Sequence, residues 1–187
     1  MGSSRLSVLL CSLFLLSVVP LTPVTADESN SWHDHIVISE VLVSASSASY
    51  NGTDWNGDGY IGSSSDQFIE LWNPTNQTIN ISNWVLDDVI GGGSPACTIG
   101  WDTELAPGAR LAFFRDYTDI ELDYWDGDTV NLLDDQGNLV HTMSYPPEDS
   151  FWDTPYTILE DGTYWKDYDG PSPGADEPAN WTGPSVG

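Results

Sequence analysis

An all-β sandwich is the fold class that this sequence predicts, and three observations carry the prediction. Short runs alternate or concentrate apolar residues as sheet strands do, beginning with Ile36-Val37-Ile38-Ser39-Glu40-Val41. Clusters of Gly, Pro, Asn and Asp separate these runs at near-regular intervals. No stretch holds a helical period long enough for a helix.

Taken in order, residues 1–26 read as an export signal. Arg5 supplies the positive start, Val8 to Val19 the apolar centre, and Val24-Thr25-Ala26 the small-residue cleavage site before Asp27. The apolar run is about 12 residues, against roughly 20 for a membrane-spanning helix. No second such run follows, so no transmembrane segment is expected in the mature chain, and the protein is expected to be secreted. Leu10 is too bulky before Cys11 for a lipid-attachment signal. Residues 27–35 form a short N-terminal lead.

The first strand spans His35 to Val43, with Ile36, Ile38 and Leu42 on one face and Val37, Val41 and Val43 on the other. Apolar residues on both faces place it inside a sandwich. A long small-residue loop, with Asp54 to Asp66 at its centre, then leads to a second strand from Gln67 to Trp72. Loops of that length in compact domains are usually functional or flexible. Asn73-Pro74 ends the strand because proline cannot donate to a ladder. Thr78 to Ile81 and Trp84 to Leu86 supply a strand pair or one bent strand. Ala96 to Trp101 reads as a strand, and Ala109 to Phe114 as another after the Pro107-Gly108 turn. Thr129 to Leu133 and Leu139 to Tyr145 form a hairpin around Asp134-Asp135-Gln136-Gly137-Asn138. Tyr156 to Leu159 is a last short strand, and residues 176–187 a flexible C-terminal tail.

Charge limits the partners. All 29 acidic residues follow Ala26, where only Arg110, Arg115 and Lys166 are basic, so the mature chain carries −26 with histidines neutral. Such a surface repels phosphate backbones and anionic headgroups, so no nucleic acid partner is expected. About 160 residues remain after cleavage, enough for one domain. Cys97 is then the sole cysteine, which excludes an intramolecular disulfide. The domain must be held by its core, by bound metal, or by both. Nine tryptophans suit a substantial core.

The order of motifs adds a family. Ile38 and Glu40 form an I-x-E strand, Glu70, Leu71 and Asn73 an E-L-x-N strand end, and Trp84 and Leu86 a tryptophan and leucine two residues apart. Asp161-Gly162-Thr163-Tyr164-Trp165 and Pro171-Ser172-Pro173-Gly174-Ala175 follow later. In this order and spacing, the chain resembles the lamin-tail domain family of secreted prokaryotic type. The resemblance implies an immunoglobulin-like β-sandwich over residues 36–175, acting as a non-catalytic interaction or surface-associated module. The basic patches of nuclear lamins are missing, so chromatin binding does not carry over.

Within the long loop, Asp54-x-Asn56-x-Asp58-Gly59-Tyr60-Ile61 copies the first half of an EF-hand or dockerin calcium loop. Oxygen ligands alternate, glycine makes the turn, and Tyr60 would offer its backbone carbonyl. Position twelve is Ser65 rather than a carboxylate, with Asp66 one residue late as a substitute ligand. The expected metal set for calcium is therefore Asp54, Asn56, Asp58, Tyr60 and Asp66; the competing reading is a solvated turn-rich loop. Asp126-Gly127-Asp128 is a poorer second candidate.

Other chemistry is weaker. Glu40 and Glu70 resemble an acid–base pair, but a buried structural role fits their framework positions better. His33 and His35 share a strand face without a third zinc ligand. His141 lacks a recognisable triad partner, and Cys97 suits packing. No catalytic residue and no organic cofactor are expected. Trp55, Trp125, Trp152, Trp165 and Trp181 sit in polar loops, which suits either pinning of loops or a stacking surface. The expected function is thus a secreted, calcium-stabilised interaction module for an extracellular protein or polysaccharide. The alternatives are a carbohydrate-binding module using the loop tryptophans and, further off, a small metal-dependent hydrolase.

Overall fold

The computed structural model describes residues 33–147, 153–159 and 162–166. The export segment, most of the lead, Trp152, Trp181, Asp161, the Pro171 to Ala175 motif and the tail lie outside these residues. The described strands are β1 (Val37–Leu42), β2 (Phe68–Trp72), β3 (Ile79–Asn80), β4 (Val85–Asp87), β5 (Cys97–Thr98) and β6 (Glu104–Leu105). They continue as β7 (Arg110–Phe114), β8 (Asp128–Leu133), β9 (Leu139–Tyr145), β10 (Tyr156–Ile158) and β11 (Tyr164–Lys166). A single helical turn, α1 (Arg115–Thr118), follows β7.

Two antiparallel sheets carry the fold, ordered β11-β10-β1-β2-β7 and β5-β4-β8-β9, with a small β3-β6 ribbon beside them. Ile36, Ile38, Val41, Ile69 and Leu71 of the first sheet enclose one core with Leu86, Val130, Leu132 and Met143 of the second. The all-β sandwich is therefore the observed architecture, and β1 lies within its sheet, as the apolar residues on both faces require.

The phase of β1 differs from simple alternation. Ile38 faces Leu71, yet Glu40, not Ser39, faces Glu70. The extra residue is a β-bulge. It brings Val41 and Val43 to the inter-sheet side with Ile36 and Ile38. Leu42 turns instead to the opposite side of the sheet, packing with Ala45, Trp55 and Phe68 in a second cluster. The expected grouping of Leu42 with Ile36 and Ile38 fails because period-two counting assumes an unbroken pleat.

One more expectation is corrected, and two strands are added. The Thr78 to Ile81 and Trp84 to Leu86 segments do not pair: β3 joins β6, whereas β4 lies between β5 and β8. β6 and β11 are two and three residues long, too short to announce themselves by periodicity. Trp84 packs against the core but is only partly buried, just before β4.

The asparagine of the E-L-x-N strand end has a physical role. Asn73 is fully buried, and its amide nitrogen donates to the carbonyls of Gln77 (2.7 Å) and Leu105 (2.8 Å). Its Oδ1 accepts from the Thr75 N–H (3.0 Å) and hydroxyl (2.7 Å). One side chain thus satisfies the backbone where β2 stops and joins it to the β6 segment. A comparable clip closes β1: His141 Nδ1 accepts the Ile38 N–H at 3.3 Å, and the Tyr164 hydroxyl donates to the Ile38 carbonyl.

Candidate functional site

The long β1–β2 loop is organised from beneath by Asp66. This side chain is fully buried. Its Oδ1 accepts the N–H groups of Trp55 (3.0 Å) and Asn56 (3.2 Å), and Oδ2 accepts that of Gly62 (2.7 Å). Burial raises its pKa against the lowering pull of those three donors. The carboxylate named as a substitute ligand is thus also the keystone of the loop. A carboxylate one residue beyond position twelve has its backbone displaced, and the nearest donors are the loop's own N–H groups.

Above it, the motif residues curl as the spacing predicts. Asp54 Oδ2 accepts the Gly59 N–H (2.9 Å), Asn56 Oδ1 that of Asp58 (3.0 Å), and Asp58 Oδ1 that of Tyr60 (2.7 Å). Gly57 and Gly59 take φ values of 71° and 87°, left-handed conformations that glycine adopts readily. Asp54 Oδ1 is buried and has no hydrogen-bond partner, as does the Ser65 hydroxyl at position twelve. Among the described residues, no three His, Cys, Asp or Glu side chains form a metal-holding group. The Asp54 loop would instead combine two carboxylates with an amide oxygen and a backbone carbonyl.

The loop is also pinned by a residue that sequence reasoning missed. Asp153 Oδ1 accepts the Ser46 N–H (2.6 Å) and the Trp55 indole N–H (3.2 Å), while Oδ2 accepts the Thr53 N–H (3.1 Å). Trp55 is buried, its ring centroid 5.8 Å from that of Phe68. This tryptophan therefore anchors the loop and offers no stacking face. No local pattern marks Asp153 as its partner, because 98 residues separate them.

The other candidates resolve into structure. Glu70 is fully buried, with Arg110 Nη1 at 2.6 Å and the Ser39 hydroxyl at 2.5 Å on Oε1. Glu40 lies directly across from it on β1. His33 sits edge-on to Trp72, whereas His35 pairs with Asp34 at 2.8 Å. His141 is pushed down to about 4, chiefly by burial and then by His35. Burial pushes the Cys97 thiol up to about 11, with Asp119 adding to the shift, which suits a packed side chain. Asp126 is exposed in the second acidic turn, and burial raises the Asp128 carboxyl. Trp125 and Trp165 remain 71% and 62% exposed, joined by Trp101 at 81%.

Comparison with known proteins places this geometry in a family. No curated protein matches the chain. The Lamin Tail Domain model matches residues 29–147, well over half of the 187 residues. That match covers β1 to β9, including the bulged β1, the Asp66-anchored loop and the Asn73 clip. The chain belongs to the lamin tail domain family, whose immunoglobulin-like sandwiches serve as interaction domains.

Proposed function

We propose that this protein is an exported, non-catalytic interaction module whose β1–β2 loop is stabilised by calcium. The observation that carries the ion is the buried Asp54 Oδ1, which lacks a partner while Oδ2 and the next two ligating side chains are held by the loop's own N–H groups. A buried carboxylate oxygen without a donor is costly, and a hard cation that takes oxygen ligands removes that cost. Asp54, Asn56, Asp58 and the Tyr60 carbonyl would hold the ion, with Asp66 shaping the loop below them. The absence of a carboxylate at position twelve weakens affinity, to about 10⁻⁴–10⁻³ M as in extracellular modules. Export rests on residues 1–26, and an extracellular protein or polysaccharide is the expected partner.

Calcium at about ten times its dissociation constant adds about 1.4 kcal/mol. Thermal melts with millimolar calcium against chelator, at matched ionic strength, should show a calcium-specific rise in Tm. Asp54→Ala combined with Asp58→Ala should remove it. Equal shifts in both proteins would assign the effect to net charge and reject the site. For export, N-terminal sequencing of secreted material should begin at Asp27; recovery of residues 1–26 in a membrane fraction would make that segment an anchor.

A further inference from the structure

A cleft of about 390 Å³ opens between Ser63-Ser64, at the end of the β1–β2 loop, and the segment from Glu121 to Trp125. Its wall is prearranged by Gln67, which is 4% exposed. The Gln67 amide nitrogen donates to the carbonyls of Val43 (2.5 Å) and Leu122 (3.0 Å), and its oxygen accepts from Arg115 Nη1 (3.2 Å). Arg115 Nη2 in turn lies 3.3 Å from the largely exposed Glu121 carboxylate. These contacts fix a guanidinium and a carboxylate side by side on one wall.

Trp125 is held at the rim rather than left loose. Asp123 Oδ1 accepts the N–H groups of Trp125 (2.8 Å) and Asp126 (3.2 Å), an Asx turn that sets the segment. The Tyr124 ring backs the indole at 4.7 Å between centroids. Gly127 has φ 76°, and a Cβ there would meet the Tyr145 carbonyl oxygen at 2.6 Å, so the segment is fitted closely against the end of β9. A rigid, exposed indole beside a polar wall loses little freedom on binding.

We propose that this cleft binds a neutral oligosaccharide, with a sugar ring stacked on Trp125 and its hydroxyls on Arg115, Glu121 and Asp123. The chemistry of the wall selects that occupant. Beyond the bonds they already make, Arg115 can donate, Glu121 and Asp123 can accept, and Ser63 and Ser64 can do both; a sugar's hydroxyls match all of them around a flat C–H face. A basic peptide offers Arg115 only backbone carbonyls and sets its own cations beside the guanidinium, with no flat C–H face for Trp125. Anionic glycans meet two carboxylates and a chain of net charge −25. This inference rests on the reading of the domain as an interaction module, and not on its calcium.

The test is calorimetric titration of the full mature chain with a panel of neutral gluco-, manno- and xylo-oligosaccharides, with an oligolysine peptide as a second probe. At least one neutral saccharide should bind, and Trp125→Ala should weaken it about tenfold or more, equivalent to about 1.4 kcal/mol. Trp101→Ala and Trp165→Ala, at exposed indoles outside the cleft, should bind as the parent does. A thermal melt of each variant confirms folding, and a chelator arm should leave affinity unchanged. Saccharide binding that is indifferent to Trp125→Ala, binding of oligolysine alone, or no binding to any probe would each overturn the proposal. Failure here with a persistent calcium-specific melt would leave the module reading standing with a different ligand.

Discussion

His141 shows how one side chain couples packing to pH. Its neutral Nδ1 accepts the Ile38 N–H, so protonation removes an acceptor that β1 uses. With a folded-state value of about 4 against an ordinary 6.5, the unfolded chain takes up the proton first as pH falls. The His141 contribution is thus full above about 6.5 and is lost as pH drops towards 4. Burial of Asp66 and Asp128 acts oppositely, since raised carboxyl values favour the fold as they protonate. The effect is isolated by comparing denaturant midpoints of the parent and His141→Gln between pH 7 and 4. The parent should lose more stability than the variant across that range; parallel profiles would contradict the assignment.

At the scale of the element, the β1–β2 loop is a separate small structure fastened at three points. Asp66 gathers its interior N–H groups, Trp55 plugs it onto Phe68, and Asp153 holds Ser46, Thr53 and the Trp55 indole. Asp153→Ala leaves these donors without their acceptor, at a cost of about 1–3 kcal/mol. The loss should appear locally first, because loops open before cores do. Limited proteolysis should cut between Ser46 and Gly62 faster in Asp153→Ala, while the sandwich resists as before. Equal cleavage rates would show that Asp153 is no clasp. The bulge at Ser39 is the second device at this scale, since it sends Val41 inward and Leu42 under the loop.

Across the whole molecule, net charge opposes compactness. The full chain carries −25, of which bridges such as Arg110–Glu70 and Arg115–Glu121 offset a small part. Repulsion among the remaining carboxylates is long-ranged at low salt and screened beyond about 10 Å near 0.1 M. Tm should therefore rise from low salt to physiological sodium chloride, equally in the parent and in the Asp54→Ala, Asp58→Ala variant. A salt-independent Tm would mean that charge repulsion contributes little. The calcium effect is distinguished by being confined to the parent.

Much of this protein was legible in its residues alone. The apolar runs in Ile36 to Val43 and Ala109 to Phe114, and the turn at Asp134 to Asn138, are local signals, and the strands and hairpin follow them. The Ile38, Glu40, Glu70, Leu71, Asn73 and Trp84 order carried the family, which the match over residues 29–147 bears out. The Asp54 to Tyr60 curl was readable because its hydrogen bonds join residues two to five apart. What required the folded chain is what spans distance. Ser39 looks like any strand residue until Glu40 is seen opposite Glu70. The three N–H groups that Asp66 gathers are visible only in the folded loop, and Trp55 reads as a stacking face until it is buried on Phe68. The Trp125 cleft is closed by Gln67, whose partners Val43 and Leu122 lie 24 and 55 residues away. Pattern reports local preference; tertiary packing decides which partner each buried polar group finds, because that choice depends on contacts no local window contains.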